Sequence, residues 1–216
     1  MVLKKLNCVF VHIPKCGGSS ITKILNPDTP FVSKVSDKNL FVGWCPENLM
    51  WMQHATMLEL TRIHEENLTN YFKFSFVRNP WERAVSDYLW LLRDSPQVFK
   101  TNSSTFVDYL TESGGFEYIF KNKRSMSYRG DHVRTQTSYL YDANKNKLVD
   151  YIGRTENFDT DFKYVLHKLG IKCDSIPREK KSKRKHYTEY YDNKTKKIIE
   201  DKYSVDIENF NYKYGE

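Results

Sequence analysis

Cysteine is scarce: the four residues Cys8, Cys16, Cys45 and Cys173 are scattered through 216 positions with no CxxC pair. None has a histidine at metal-ligand spacing, so neither a zinc module nor a dense disulfide framework is encoded. A reduced compartment is the simpler reading, with pairing left open. Long apolar runs are also missing. No stretch reaches the roughly 20 apolar residues that a membrane helix needs. The opening MVLKKLNCVFVHIPK holds only a short apolar run, which suits a first strand better than a secretory leader. A soluble, cytoplasmic protein is expected, or a Golgi-lumenal one if a membrane anchor belongs with it. The N-x-[ST] sequons at Asn67, Asn102 and Asn193 are then incidental. There is no internal repeat, no low-complexity linker and no carboxylate cluster suited to a divalent metal, so one metal-free domain over 1–216 is expected.

What is present points to a packed globular protein. Hydrophobic residues make up 39% of the chain, charged residues 28% and aromatic residues 15%, a composition that argues against disorder. A chain of this length hides roughly 70% of its unfolded surface. The formal net charge of +7 favours an anionic ligand, although a solvated basic surface explains the charge equally well.

The pattern alternates between strands and helices. LNCVFVHI (Leu6 to Ile13) is apolar with little alternation, as in a parallel strand covered on both faces, and SSITKIL (Ser19 to Leu25) follows as a helix. NLFVGW (Asn39 to Trp44) is a short strand and HATMLELTRIHEEN (His54 to Asn67) a helix. YFKFSFV (Tyr71 to Val77) is an aromatic strand that enters a helix capped by Asn79 with Pro80 in its first turn. Ala84, Val85, Tyr88, Leu89 and Leu92 form that helix's buried stripe. Residues 95–140 read as short helices and loops. LVDYIGRTE (Leu148 to Glu156) is a strand, DTDFKYVLHKLG a helix ending at Gly170, and TKKIIEDKYSVDIENF one final amphipathic helix. The expected class is α/β, with a central, mostly parallel sheet flanked by helices.

Two segments carry the chemistry. In FVHIPKCGGSS (Phe10 to Ser20), Gly17 and Gly18 let backbone N–H groups turn inward where a helix begins. Ser19 and Ser20 add hydroxyls and Lys15 adds a cation. Every group donates, so an anion is expected, although a plain strand-to-helix turn uses the same glycines. The pattern is not the G-x-x-x-x-G-K-[ST] of nucleoside-triphosphate loops, because the lysine precedes the glycines. In FVRNPWERAVSDY, Arg78 ends a strand and Ser86 stands eight residues on, about two helical turns away. Together the segments suggest a ligand with two separated phosphates.

HIPKCGGSSI and FVRNPWERAVSDYLWL resemble the sulfotransferases that use 3′-phosphoadenosine 5′-phosphosulfate (PAPS), and most closely their carbohydrate, family-2 branch. That branch includes Golgi glycan enzymes and soluble bacterial relatives. QHATMLEL, HVRTQTSYL, YIGRTENFDTDFKYVLHKLGI and YYDNKTKKIIEDKYSVDIENFNY follow in the order such proteins show, so the resemblance covers most of the chain. It implies a P-loop-like sulfotransferase fold. It also implies that Lys15, Cys16, Gly17, Gly18, Ser19 and Ser20 bind the 5′-phosphosulfate, and that Arg78 and Ser86 bind the 3′-phosphate. The basic loop with Ser182, Lys183, Arg184 and Tyr187 resembles the family's late segment that folds over the nucleotide, and equally reads as a solvated charge run.

Sulfuryl transfer then needs a base for the acceptor hydroxyl, charge stabilisation at sulfur and a cation at the leaving oxygen. Lys15 suits the last of these, and the loop amides and serines suit the second. His54 is the leading base by resemblance, with a cap or surface role as its alternative. His132 competes with it, and Arg134 and Gln136 are expected to line the acceptor site. The implied donor is PAPS, its product adenosine 3′,5′-bisphosphate, and its partner a carbohydrate or other hydroxyl acceptor, with no metal and no nucleic acid. A P-loop kinase and a non-catalytic anion- or glycan-binding module are the competing readings. The first lacks the GK[ST] signature.

Overall fold

In the computed structural model, the described residues are 1–27, 42–64, 67–94, 105–111, 116, 119, 130–172, 176 and 185–216. In chain order they form β1 (Val2–Leu3), β2 (Cys8–Val11), α1 (Gly18–Leu25), β3 (Trp44–Cys45), β4 (Met50–Trp51), α2 (Met57–Ile63) and β5 (Phe72–Val77). These are followed by α3 (Pro80–Asp94), α4 (Phe106–Leu110), α5 (Thr137–Leu140), β6 (Tyr151–Arg154), α6 (Phe158–Lys168), α7 (Asn193–Lys202) and α8 (Ser204–Asn209). The chain divides into two compact units. The first is Met1–Val77 with Ser138–Ser182, and the second is Arg78–Thr137 with Lys183–Glu216. No helix among the described residues is long and apolar enough to cross a membrane.

The first unit is built on a four-stranded sheet of order β1-β2-β5-β6. β2 pairs parallel with β5, and β5 parallel with β6, while β1 is an antiparallel edge. This is the expected α/β architecture with a mostly parallel sheet. All four residues of β2 are buried, which explains its unbroken apolar run. Phe10 and Phe74 stack across neighbouring strands at 5.1 Å, and Ser75 Oγ donates a hydrogen bond to the Val11 carbonyl at 2.6 Å. Phe158 and Phe162 of α6 pack on Phe76, with ring centroids 5.2 and 6.1 Å away. Gly153 makes this packing possible, because a Cβ there would stand 2.6 Å from Phe76 Cε1. Since the three parallel strands run the same way, the loop after β2 and the turn after β6 emerge at the same end of the sheet.

The second unit has an aromatic, helical core. Trp81, Ala84, Val85, Tyr88 and Leu91 of α3 are buried with Phe106 and Tyr109 of α4 and with Ile199 and Tyr203. Tyr88 meets Phe106 and Tyr109 at 5.3 Å each, and Phe106 meets Tyr191 at 4.9 Å. Asn79 starts α3 as expected, its Oδ1 accepting the Trp81 N–H at 3.1 Å.

Several local expectations change. Leu91, not Leu92, completes the α3 stripe: Leu91 is fully buried and Leu92 is 37% exposed. The helix expected from His54 begins later. Met52–His54 is a 3-10 turn, and α2 starts behind Thr56, whose side chain forms a capping box with Glu59. The expected final helix is two helices, α7 and α8, divided at Tyr203, where the backbone leaves helical geometry (φ −119°, ψ 25°). The strand expected over 148–156 is confined to Tyr151–Arg154. Only the end of the strand expected over 39–44 falls on described residues, where Trp44–Cys45 pairs with Met50–Trp51.

Candidate active site

In the first unit, the loop after β2 owes its shape to two left-handed residues, Lys15 (φ 69°) and Gly17 (φ 78°). The conformation is easy for glycine and costs lysine roughly 1–2 kcal/mol. Gly17 is the N-cap of α1, and its carbonyl accepts the Ser20 N–H at 3.1 Å and the Ile21 N–H at 3.3 Å, closing the first turn. Gly18 has a different reason to be glycine: a Cβ on it would lie 1.9 Å from His12 Nε2. The His12 ring therefore lies directly against the first turn of α1. It stacks on Phe10 (5.3 Å, 16°) and meets the buried His54 ring edge-to-face (4.8 Å, 87°). His54 is neither a surface residue nor the cap of α2.

The loop's other side chains divide by exposure. Cys16 is 1% exposed, its thiol donates to the Pro14 carbonyl at 3.6 Å and its N–H to the Ile13 carbonyl at 3.3 Å, so both of its donors bond within the loop itself. Ser20 is buried, while Lys15 and Ser19 are half-buried. Beside Gly17, the Oγ1 of Thr155 in the turn after β6 is buried without a hydrogen-bond partner, and its Cγ2 lies 3.8 Å from where a Gly17 Cβ would stand. Thr155 escaped the sequence reading. Cys8, inside β2, is fully buried, and burial pushes its thiol up to about 12.

In the second unit, Gln136 clamps the backbone of Arg78. Its Oε1 accepts the Arg78 N–H at 2.8 Å and its Nε2 donates to the Arg78 carbonyl at 2.8 Å. Asp206, fully buried on α8, accepts the N–H groups of Gln136 (2.7 Å) and Thr137 (2.8 Å). Burial raises the Asp206 carboxyl above its usual range. The Arg78 guanidinium bonds Glu82 at 2.8 Å, one helical turn on.

Further along α3, Arg83 donates to the carbonyls of His132 (2.8 Å) and Arg134 (2.9 Å). Asp87, one turn later, meets His132 Nδ1 at 2.5 Å, with both side chains about 5% exposed. Trp90 packs on the same imidazole at 4.8 Å. A cavity of about 10 Å³, room for one water molecule, is lined by Arg83, Asp87, Tyr109 and His132 among others.

The Sulfotransferase family model matches this chain over residues 1–213. The chain belongs to the sulfotransferase family. An uncharacterized protein of Archaeoglobus fulgidus is 27% identical over 110 residues, which is 51% of this chain and 77% of that one. The crystal structure of a sulfotransferase from Alicyclobacillus acidocaldarius superposes with a TM-score of 0.48 at 17% identity, over 92% of each chain.

For this member of the sulfotransferase family, the remaining expected site residues divide as follows. Arg78, Ser86, His132, Arg134, Gln136 and Tyr187 belong to the second unit, while Lys15 to Ser20 and His54 belong to the first. Gln136, expected at an acceptor site, is fully buried with both ends of its amide on Arg78. Tyr187, expected over the nucleotide, is buried. Its hydroxyl accepts the Gly215 N–H at 2.5 Å and donates to the Glu216 carbonyl at 3.3 Å. Ser182, Lys183 and Arg184 lie outside the described residues. Arg83 and Asp87 escaped the sequence reading. Their signal was present, as charged residues flanking Ala84, Val85 and Tyr88 on the apolar stripe of an amphipathic helix.

Proposed function

We propose that the chain transfers a sulfuryl group from PAPS to a hydroxyl of a carbohydrate acceptor, as one sulfotransferase domain over 1–216. The observation that carries this reading is the loop after β2, where left-handed Lys15 and Gly17 lead into the N-terminal turn of α1. Such a turn combines a helix's positive end with inward N–H groups and a cation, which suits a dianionic phosphosulfate. The buried, unpartnered Thr155 Oγ1 beside it suits a ligand oxygen in the same way.

In this reading, PAPS supplies the sulfuryl group and departs as adenosine 3′,5′-bisphosphate. Lys15 neutralises the oxygen from which the sulfuryl group leaves. Gly17, Gly18 and Ser19 donate to the equatorial oxygens, Ser20 through its hydroxyl, with Cys16 shaping the turn of the binding loop. Arg78 and Ser86 bind the 3′-phosphate, and Gln136 keeps Arg78 in place through its backbone. Ser182, Lys183, Arg184 and Tyr187 complete the set of nucleotide-binding residues. Arg134 and His132 face the acceptor. A histidine takes the acceptor's proton, with His54 and His132 as its two candidates and a contribution of roughly 10²–10⁴-fold.

Thermal unfolding with added nucleotide tests the donor. Adenosine 3′,5′-bisphosphate is expected to raise Tm more than ATP–Mg²⁺ does, by about 2.7 kcal/mol of stability at a hundredfold excess over Kd. A shift with ATP–Mg²⁺ alone turns the reading to a kinase, and no shift with either turns it to a binding module. An acceptor screen with labelled PAPS over glycans, small alcohols and phenols tests the carbohydrate assignment.

A further inference from the structure

We infer that Asp87 is a positioning residue for catalysis, one that fixes the tautomer and aim of His132 so that His132 Nε2 takes the acceptor's proton. The inference rests on the PAPS reading above and chooses between that reading's two histidines. Its basis is the way α3 holds one histidine with three side chains, two on its ring and one on its backbone. Arg83 binds the His132 carbonyl, Asp87 meets the ring at Nδ1, and Trp90 packs on the ring face at 4.8 Å. These residues lie at i, i+4 and i+7, which places them on one stripe of the helix.

A histidine that only fills space has no need of such a support. Burying a carboxylate costs several kcal/mol before its partner offsets it, and apolar residues of similar volume would stabilise the core as well. The arrangement is instead that of an acid–base dyad. The carboxylate accepts Nδ1–H, which leaves Nε2 as the basic nitrogen, and it stabilises the imidazolium when that forms. α3 also carries Ser86, adjacent to Asp87, so the helix proposed to bind the 3′-phosphate is the one that aims the base.

The acceptor oxygen bonds to sulfur as the sulfur–oxygen bond to the donor's phosphate breaks. The electron pair of that bond stays on the phosphate. The acceptor's proton passes to His132 Nε2, and water removes it after the sulfated product leaves.

The test uses the full chain, ¹⁵N-labelled at histidine. In the wild type, imidazole NMR is expected to show His132 protonated at Nδ1. An Nε2–H tautomer there overturns the inference without any variant. In Asp87→Asn, the thermal shift with adenosine 3′,5′-bisphosphate and the KM for PAPS are expected to stay at wild-type values. With unsulfated chondroitin as acceptor, kcat is expected to fall by roughly 10²–10⁴-fold, and the His132 tautomer to change. Asp87→Glu is expected to restore the Nδ1–H tautomer and part of kcat. An Asp87→Asn enzyme whose kcat stays within about threefold of wild type, well short of the general-base contribution, overturns the inference. A wild type that binds no adenosine 3′,5′-bisphosphate overturns instead the PAPS reading beneath it, which the tautomer measurement does not touch.

Discussion

The two units prepare their functional groups by different means. The first works through backbone: left-handed Lys15 and Gly17, a helix N-terminus, and a glycine at 18 pressed against the His12 ring. The second works through buried polar side chains in an aromatic core. There Arg83, Asp87, Gln136 and Asp206 hold neighbouring segments by hydrogen bonds of 2.5–2.9 Å. A backbone-shaped site is sensitive to any added atom. A side-chain-clamped site is sensitive to the loss or titration of one group. The two kinds of site therefore call for different perturbations.

The largest expected effect falls on the first unit's cation. Lys15→Ala is expected to lower sulfuryl transfer by roughly 10²–10³-fold, the usual cost of one preorganised electrostatic contact, while Tm barely moves. Transfer at the wild-type rate in that variant would remove Lys15 from the leaving-group role. Next comes steric insertion. Gly18→Ala is expected to destabilise by about 1–3 kcal/mol, since the His12 ring must move to admit the methyl. Calorimetry of the double variant His12→Ala/Gly18→Ala checks the cause, because the penalty should largely vanish there. An equal penalty in both backgrounds would mean the strain lies elsewhere.

The smallest effect at ordinary pH, and the one that singles out the second unit, is alkaline. Burial raises the phenols of Tyr109, Tyr191 and Tyr203 above the usual value near 10. The folded chain keeps protons that the unfolded chain releases, so stability is fully present below about pH 10 and falls as pH rises towards the folded values. The part of the tyrosinate absorbance that comes from Tyr109, Tyr191 and Tyr203 is expected to appear in one cooperative step with loss of far-UV signal. A gradual rise that converts all fifteen tyrosines while the helices persist would contradict the buried cluster.

Much of the first unit was legible in sequence because its signals are local. An unbroken apolar run, a glycine pair and a helical stripe follow each other within FVHIPKCGGSSITKIL. The strand β1 was not legible, since two residues carry no periodicity. In α3, Leu91 and Leu92 lie three and four residues after Tyr88, both at helical spacing, and only packing decides which is buried. The second unit hid more. Charged residues are ordinarily solvated, so residue type speaks against an interior place for Arg83, Asp87 and Asp206, and for the first two only their position beside the apolar stripe of α3 points inward. Gln136 shows the related failure: an amide reads as a ligand contact until its partners are seen to be the backbone of Arg78. Tyr203 divides the last helix at a residue whose side chain is 4% exposed, a tertiary requirement that outweighs helix propensity.

The contact between His12 and Gly18 also constrains how this loop can change over evolutionary time. With an imidazole 1.9 Å from the place where a Cβ would stand, no single substitution can give residue 18 a side chain while His12 keeps its position. Drift at 18 must wait for a smaller residue at 12, and that change removes the ring that touches His54. The two positions should therefore change together or not at all across descendants of this chain. A histidine six residues upstream acts as the lock on a glycine that would otherwise be explained by flexibility alone.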